Sequence, residues 1–389
     1  MITRGDLPPV GHKISLHAES ENNLAELLGS HQYSVDSGTS ALALAVLDAK
    51  TYFPELQRPR VIIPGYCCPD LVAACVYAGV EPVAVDIAEN DPAYDLEQLR
   101  RQLDDSVIAV VAVNFLGIAE RLSDLRKLIH SLGLRARLIE DNAQWFPVHQ
   151  AYIPVDSDYT VFSFGRGKPL SLLGGGLLLA RVPLTESVIE HIDKANIPSP
   201  LLSLKIRIYN LLLTPQLYLL LNRNPWLHLG ETKYIALEKI QAMDGFRLAR
   251  VKNNFEHYIA RKFELKLYYD VAVLANGLQQ LTVLATPRAR QLLRYPLLCP
   301  TAAIKNKLLA EMRKHGLGAT KMYAVAIDQV RGVEGLVAVP HVLENARSFA
   351  ARFMTLPMHS GVTPAYQNEI QSVLGGCKPS LLFGANGRE

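Results

Sequence analysis

The sequence predicts an α/β protein with a mostly parallel sheet covered by helices on both faces, followed by a smaller α+β unit. Between residues 20 and 180, short apolar runs rich in β-branched side chains alternate with helical stretches. These runs are apolar at successive positions, which is typical of parallel strands buried on both faces. A second set of strand and helix patterns follows towards the carboxyl terminus, where the helices carry more charge.

The elements of the first part have recognisable start and stop signals. A helix over residues 22–29 ends at a glycine, and Pro69 takes the favoured first position of another helix. The turn at 37–40 opens directly into an amphipathic helix, and further helices are predicted around 95–103 and 123–132. The predicted strands are 32–35, 60–64, 80–87, 106–113, 135–141, 159–164 and 175–180.

Residues beyond this sheet predict a second unit. A long helical stretch is expected from about 235 to 265, followed by a strand at 294–300 and a helix at 302–320. The segment 352–374 indicates a strand, a loop and a last helix. We therefore divide the chain into a large domain over 1–245, with an apolar helical insertion at about 200–222, and a small carboxyl-terminal domain over 246–389.

The composition argues against several classes of protein. A net charge of +3 over 389 residues is small for a nucleic-acid binder, which needs a concentrated basic face. The five cysteines are odd in number and lack zinc-site spacing, so we expect reduced thiols in a cytoplasmic protein and no metal centre. The amino terminus lacks the apolar run of a secretory signal.

The most apolar segment lies within residues 200–222. Its longest charge-free run, Ile208–Asn222, has 15 residues and is broken by Pro215, which is too short for a membrane-spanning helix. Two helical pieces that pack against a partner subunit are the preferred interpretation. Contact with a membrane surface is the alternative, and the cations Lys205, Arg207 and Arg223 would suit it.

Three loops fall at the sheet edge where open α/β folds bind their ligands. In the first, Ser37–Ser40, a glycine and a helix amino terminus allow an anion to approach the backbone closely. The hydroxyls of Thr39 and Ser40 add donors, so the loop indicates a phosphate site. Serine and threonine that only cap a helix would give the same pattern.

The other two loops carry a carboxylate and a lysine. Glu140 and Asp141 end a buried strand, where an anion is costly without a cationic partner, although a helix cap is the plain alternative. Lys168 lies in a glycine-rich turn between two apolar strands. A desolvated lysine there can form a Schiff base or bind a phosphate as a fixed cation. By itself this lysine would more often be a surface charge.

Together these loops have the order and spacing of one family. The chain resembles the DegT/StrS-like aminotransferases, the sugar-aminotransferase branch of fold type I pyridoxal-phosphate enzymes, over about 20–180 and 235–375. The matching stretches are SGTSALALA, VEPVAVDI, LIEDNAQ, FSFGRGKPLSLLGGGLLL, YPLLCP and LPMHSGVT. The resemblance implies an aspartate-aminotransferase-like fold whose large domain binds pyridoxal 5'-phosphate, with pyridoxamine phosphate as the alternate form.

The resemblance also implies roles for single residues. Lys168 is expected to form the Schiff base with the cofactor and to shuttle protons, and Asp141 is expected to pair with the pyridine nitrogen. Gln144 is expected at the ring hydroxyl or the ring face, and Ser163 at the phosphate. The remaining phosphate contacts implied are Gly38, Thr39 and Ser40.

Departures from the family cluster where substrate identity is decided. The family places an aromatic ring over the cofactor, whereas the aligned residue here is Cys68, with Tyr66 two positions away. Either the thiol packs on the ring or Tyr66 substitutes for it. In the family, an asparagine-tyrosine-arginine-methionine stretch reaches the cofactor phosphate of the neighbouring subunit. This stretch is replaced at 232–234, where Lys233 is a candidate for the same contact. A histidine-tyrosine pair of the family reads Met322–Tyr323.

The resemblance implies a homodimeric aminotransferase that moves an amino group from an amino acid, usually glutamate, to a keto acceptor. A nucleotide-linked keto-sugar of polysaccharide or secondary-metabolite synthesis is the expected acceptor, with Arg166, Lys233 and Lys321 as candidates to meet its diphosphate. Lys168 argues against the branch that dehydrates sugars, which has histidine there. Two alternatives remain: another pyridoxal-phosphate reaction on the same fold, and a catalytically silent, ligand-sensing regulator.

Overall fold

Most of the chain is described by the computed structural model. The described residues are 5–18, 31–147, 156–197, 200–222, 232–260, 264–275 and 291–376. The helix predicted over 22–29 lies outside them.

Seven strands form the central sheet: β1 (His31–Val35), β2 (Arg60–Pro64), β3 (Glu81–Val85), β4 (Val107–Val113), β5 (Arg137–Asp141), β6 (Tyr159–Ser163) and β7 (Gly176–Ala180). Their order across the sheet is β1-β7-β6-β5-β4-β2-β3. The strands from β2 to β6 pair in parallel, while β7 is antiparallel to both β1 and β6. The predicted mostly parallel α/β fold is confirmed, and each strand lies where the apolar runs placed it.

Four helices link the parallel part of the sheet: α1 (Gly38–Thr51), α2 (Asp70–Tyr77), α3 (Leu96–Gln102) and α4 (Leu122–Ser131). Helix α1 is rich in alanine and leucine and is buried along most of its length, because it packs between α2 and the strands β6 and β7. Its amino terminus points at the carboxyl ends of the neighbouring strands. The first turn of α1 therefore faces the ligand-binding edge of the sheet.

The apolar segment forms two short helices beyond the sheet. The elements of this region are α5 (Glu186–Ile189), β8 (Ile192–Asp193), α6 (Leu202–Leu212), α7 (Pro215–Asn222) and β9 (Ile240–Gln241). The break at Pro215 is as predicted. In the described part of the chain, no helix combines the length and apolar character needed to cross a membrane.

The single helical stretch predicted from about 235 to 265 is wrong in its first part. Residues 240–241 pair in parallel with β8, and separate helices follow: α8 (Gly245–Leu248), α9 (Val251–Ile259) and α10 (Glu264–Ala275). Asp244 starts a new helix because its carboxylate accepts a hydrogen bond from the Arg247 N–H at 3.0 Å. Strand β9 pairs with β8, which lies far away in the sequence, and local periodicity cannot predict a pairing of this kind.

The carboxyl-terminal elements match the second predicted unit. Strands β10 (Arg294–Leu298) and β11 (Phe353–Pro357) pair antiparallel, next to α11 (Ala302–Lys314), α12 (Glu344–Arg352) and α13 (Pro364–Gly376). An aromatic group joins them to the central sheet: Tyr66 and Phe115 pack against Tyr323, Phe349 and Phe353. A continuous apolar core thus spans both units. The boundary near residue 245 stays a prediction.

Candidate active site

A cavity of about 230 Å³ opens at the carboxyl ends of β5 and β6, beside the first turn of α1. This is the edge at which the three predicted loops meet. Seven of the eight predicted cofactor-binding residues line the cavity: Gly38, Thr39, Cys68, Asp141, Gln144, Ser163 and Lys168. The structure does not bring the eighth residue, Ser40, to the wall.

The α1 end of the cavity is built by a helix cap. Ser37 Oγ accepts a hydrogen bond from the Ser40 N–H at 3.0 Å. The N–H groups of Gly38 and Thr39, which come before it in the first turn, have no acceptor within the helix. The Ser40 hydroxyl is fully buried and donates to Asp36 Oδ1 at 2.7 Å. Ser40 therefore makes its hydrogen bonds away from the cavity, and Ser37, the N-cap residue of α1, lies on the cavity wall beside Thr39.

Gly38 allows strand β6 to touch the start of α1. A Cβ atom at this position would lie 2.6 Å from the Ser163 Cβ, well inside contact distance. Because glycine has no Cβ, the Ser163 side chain can sit over the helix amino terminus. The loop Ser37–Thr39 and Ser163 thus form one polar end of the cavity, with N–H and hydroxyl donors and a helix dipole that favours an anion.

Asp141 supplies the buried carboxylate of the wall. Its Oδ1 accepts a hydrogen bond from the Ala143 N–H at 2.8 Å. Burial raises the pKa of Asp141 above its ordinary value, and that hydrogen bond and the charge of Lys168 partly offset the effect. Glu140 points to the other side of the strand, where it accepts a hydrogen bond from Asn114 Nδ2 at 2.7 Å. The two neighbouring carboxylates face opposite sides of β5, as adjacent residues of a strand do.

Lys168 reaches the cavity from a constrained turn. The carbonyl of Phe164 accepts hydrogen bonds from the N–H groups of Leu172 (2.7 Å) and Gly174 (3.2 Å), which closes the turn behind the lysine. Leu173 has a φ of 58° and Gly174 a φ of 147°, so both lie in the region that disfavours side chains. The turn therefore needs support from outside.

Arg247 of α8 gives that support. Its guanidinium donates to the carbonyls of Leu172 at 3.2 Å and Leu173 at 3.3 Å, and it forms an ion pair with Asp244. These carbonyls belong to the strained part of the turn. Arg247 is thus a positioning residue for the loop that carries Lys168.

Replacing Arg247 with alanine should loosen this turn. We expect a loss of about 1–3 kcal/mol in the free energy of unfolding, because charged hydrogen bonds to buried carbonyls are removed. We also expect the mid-point of a pyridoxal-phosphate titration to rise, since Lys168 is less well placed. The control is Arg313→Ala, which removes an exposed arginine of α11. Equal effects of the two substitutions would contradict the positioning role.

Of the two candidates to cover the cofactor ring, Cys68 lies on the cavity wall and Tyr66 does not. Tyr66 is buried in the aromatic group, where its hydroxyl donates to the Tyr323 carbonyl at 3.1 Å and accepts from the Tyr323 N–H at 3.2 Å. Cys68 lies on the cavity wall, as the alignment with the family implied. Burial raises the pKa of its thiol, which therefore stays neutral. A neutral thiol is a weak nucleophile, so Cys68 offers the cavity a small packing surface.

Gln144 connects the cavity to the carboxyl-terminal unit. Its Nε2 donates to the Tyr323 hydroxyl at 2.7 Å, and its Oε1 accepts from the Leu116 N–H at 2.9 Å. Tyr323 itself lines the cavity, although the sequence marked it only as half of a changed pair. No local signal could have found it, because it is 179 residues from Gln144.

The cavity wall also carries two charged residues, of which the sequence analysis predicted one. Arg166 is exposed on the wall, as expected for a residue at the mouth, and Asp70 joins it there unpredicted. Lys233 and Lys321 are exposed elsewhere and do not line the cavity.

The sheet order and the ligand edge are those of fold type I pyridoxal-phosphate enzymes. The chain belongs to the DegT/DnrJ/EryC1/StrS aminotransferase family, whose model matches residues 15–198 and 236–374. Helices α6 and α7 fall in the stretch between the two matched parts.

Individual relatives are distant. GDP-perosamine synthase of Vibrio cholerae is 29% identical over 163 residues, which cover 41% of this chain and 43% of that protein. The match therefore spans less than half of this relative. Among solved structures, the pyridoxal-phosphate form of Spr1654 from Streptococcus pneumoniae is 15% identical with a TM-score of 0.68, covering 96% of this chain and 98% of the other. Helicobacter pylori PseC is 19% identical with a TM-score of 0.67, covering 93% and 92%. These structural likenesses show the fold.

Proposed function

We propose that this protein is a pyridoxal-phosphate-dependent aminotransferase that moves an amino group from an amino acid, with glutamate as the donor, to a keto-sugar acceptor linked to a nucleotide. The proposal rests on one observation above all: Asp141 and Lys168 line the same cavity, and that cavity ends at a helix amino terminus. Family membership supports the reaction type.

The wall fits the cofactor in three places. The N–H groups of Gly38 and Thr39, with the hydroxyls of Ser37 and Ser163, would hold a phosphate at the positive end of α1. Asp141 would meet a protonated ring nitrogen, because a buried carboxylate is stabilised by a cation at that place. Gln144 and Cys68 would pack beside the ring.

The residues of the wall would divide the chemistry between them. When bound, pyridoxal phosphate supplies an electron sink for the charge that develops at the donor α-carbon. Lys168 Nζ would anchor the cofactor before the donor binds and would accept the proton from that carbon afterwards. Asp141 would hold the proton on the ring nitrogen throughout. Gln144, fixed by Leu116 and Tyr323, would set the tilt of the ring.

The acceptor proposal draws on the relatives. GDP-perosamine synthase is named for a nucleotide-linked product, and PseC is an aminotransferase of pseudoaminic acid biosynthesis. Arg166 at the mouth offers a bidentate partner for a diphosphate. We also propose a cytoplasmic location, since the four cysteines within the described residues are free thiols.

A two-stage spectroscopic titration tests the function. Purified protein is loaded with pyridoxal phosphate, and glutamate is expected to convert the cofactor absorption band to that of the amine form. Keto-sugar nucleotides and simple keto acids are then offered in parallel, and a keto-sugar should restore the band. A restored band with keto acids alone would overturn the sugar acceptor, and an unchanged band with every amino acid would overturn the transaminase.

We further propose that the protein is a homodimer that buries one face of α6. Leu201, Leu204, Ile208 and Leu211 recur on one side of this helix and are about half exposed, between 47% and 57%. A contiguous apolar patch of this kind marks an interface. On the same helix, Tyr209 interacts electrostatically with Arg166 of the cavity wall. The interface would therefore lie next to the active site.

Charges on this face should separate the subunits. We expect sedimentation velocity to give a dimer for the wild type and a monomer for Leu204→Asp with Ile208→Asp, because two buried carboxylates would face apolar partners. The control is Lys205→Gln, an exposed change on the same helix. A fully active wild-type monomer at micromolar concentration would rule the dimer out. Binding to anionic vesicles, lost in the double variant, would favour the membrane surface instead.

A further inference from the structure

A second cavity, of about 560 Å³, begins one residue beyond Lys168, where Pro169 forms part of its wall. The rest of the wall comes from the amino-terminal segment, the end of α9, α10, the segment that leads into β10, and the stretch from β11 into α13. Among the described residues, this second cavity shares no lining residue with the cavity that holds Lys168 and Asp141. Its volume is in the range of small-molecule binding sites, and the function proposed above leaves it unused.

Three aromatic side chains of the second cavity use their polar atoms elsewhere. The Tyr258 hydroxyl donates to a main-chain carbonyl at 2.8 Å, and the Tyr268 hydroxyl donates to another at 2.7 Å. His359 Nε2 donates to a third carbonyl at 2.8 Å, while its Nδ1 accepts from the Gly361 N–H at 3.1 Å. These three residues therefore offer ring surface to a ligand, and a flat aromatic ligand packs well against such rings.

The described wall of the second cavity contains no aspartate, glutamate, lysine or arginine. Apolar side chains, among them Leu265, Leu292 and Met358, form much of the surface between the aromatic rings. A charged ligand would lose hydration there without gaining a permanently charged partner. The wall therefore suits an uncharged ligand, whereas a diphosphate has the guanidinium of Arg166 available in the other cavity.

One polar atom of the second cavity lacks a partner. Gln291 Oε1 is buried, and no donor in the described part of the chain bonds to it. The main chain that carries this carboxamide is held in place, because the Leu293 N–H donates to the Leu116 carbonyl at 3.0 Å. A Cβ atom at Gly117 would lie 2.5 Å from the Gln291 carbonyl oxygen, so the two backbones are in direct contact. A buried acceptor without a donor is costly, and a ligand N–H at this place would satisfy it.

We propose that the second cavity binds an uncharged purine nucleoside whose base carries an amino group beside a ring nitrogen, as adenosine does. A glutamine carboxamide pairs with such an edge in two hydrogen bonds, since its oxygen accepts from the amino group and its nitrogen donates to the ring nitrogen. The base would lie against the rings of Tyr258, Tyr268 and His359, and the volume leaves room for its ribose. The site is separate from the active site, so this inference goes beyond the proposed function and does not depend on it.

Isothermal titration calorimetry with adenosine tests the site directly. We expect adenosine to bind the wild-type holoenzyme, and Gln291→Leu to weaken that binding about 5- to 150-fold, the range for one bidentate pair. Purine riboside, which lacks the amino group, should bind the wild type more weakly than adenosine does. Gln291→Leu should no longer distinguish the two nucleosides. The matched control is Gln329→Leu, which replaces an exposed glutamine outside the wall and should bind adenosine like the wild type.

A second variant keeps the test valid if Gln291→Leu folds poorly. Ala260→Trp places a large ring at an exposed position of the wall, and it should block adenosine binding while it leaves the carboxamide intact. The thermal midpoint of Gln291→Leu without ligand should stay constant or rise, because a buried acceptor without a donor is removed.

Three results would overturn the inference. The first is a wild-type holoenzyme that does not bind adenosine at millimolar concentration, and the second is equal binding by the wild type and both variants. The third is tighter binding of adenosine diphosphate than of adenosine, lost in Gln291→Leu, which would make the wall a nucleotide site instead. A holoenzyme that fails to react with glutamate would remove the proposed function and leave this binding test unaffected.

Discussion

Replacing Lys168 with alanine is expected to abolish amino transfer, with kcat falling about 10³- to 10⁴-fold or more. Loss of a positioned general base has an effect of this size, and Lys168 would also lose its covalent hold on the cofactor. Pyridoxal phosphate should still bind through the α1 end of the cavity, but as a free aldehyde. Borohydride reduction followed by peptide mass analysis should find the cofactor on Lys168 in the wild type and nowhere in the variant.

The control for this experiment is Lys321→Ala. Lys321 is exposed and does not line the cavity, so its removal should leave both turnover and cofactor attachment unchanged. A Lys168→Ala protein that still yields a reducible lysine adduct at another residue would show that the anchor has been misassigned.

The second large effect is expected for Asp141→Asn. The amide keeps the shape of the side chain and the hydrogen bond from Ala143, but it no longer favours a proton on the ring nitrogen. We expect cofactor binding to weaken modestly while kcat falls about 10²- to 10³-fold, the range for losing one preorganised electrostatic contact. Stopped-flow measurement of the half-reaction with glutamate would report the chemical step directly.

Glu140→Gln is the matched control, because it alters the adjacent carboxylate on the opposite face of β5. It should affect stability more than catalysis, since Glu140 is fully buried against Asn114. Loss of turnover in Glu140→Gln, with little loss in Asp141→Asn, would mean that the two side chains had been assigned in the wrong order.

The same carboxylate predicts a pH dependence. Burial raises the pKa of Asp141 in the protein without a bound cation, and a cationic ring would lower it again. Cofactor binding therefore favours ionised Asp141, so its contribution to affinity is present above the free-protein pKa and is lost as pH falls through it. Because that pKa is raised, the loss should begin at a higher pH than for an ordinary aspartate. Asp141→Asn should show no such dependence.

Most of the fold could be predicted from local patterns in the sequence. The strands of the central sheet were visible because parallel strands buried on both faces are apolar at consecutive positions. Neighbours on a strand point to opposite faces, so only one of Glu140 and Asp141 can face the cavity, and the family resemblance assigned that place to Asp141. The start of α1 was visible as well, but its hydrogen bonds were not. Only the structure shows that Ser40 turns inward to Asp36 while Ser37 faces the cavity.

What the sequence could not predict depends on contacts between distant residues. Tyr323 reaches the wall through the packing of the carboxyl-terminal unit. Arg247 supports the Lys168 turn from a helix 79 positions later in the chain. In each case the relevant neighbour is set by tertiary packing, which periodicity and turn chemistry do not encode.

The hydrogen bond from Gln144 to Tyr323 connects the central sheet with the carboxyl-terminal part of the chain at the cavity wall. Tyr323 is also held through its backbone by the Tyr66 hydroxyl, so both its side chain and its main chain are hydrogen-bonded to the part of the chain that forms the central sheet. A ligand that contacts Gln144 would also restrain the segment around Tyr323. We therefore expect a ligand in the cavity to stabilise the segment around Tyr323 against local unfolding.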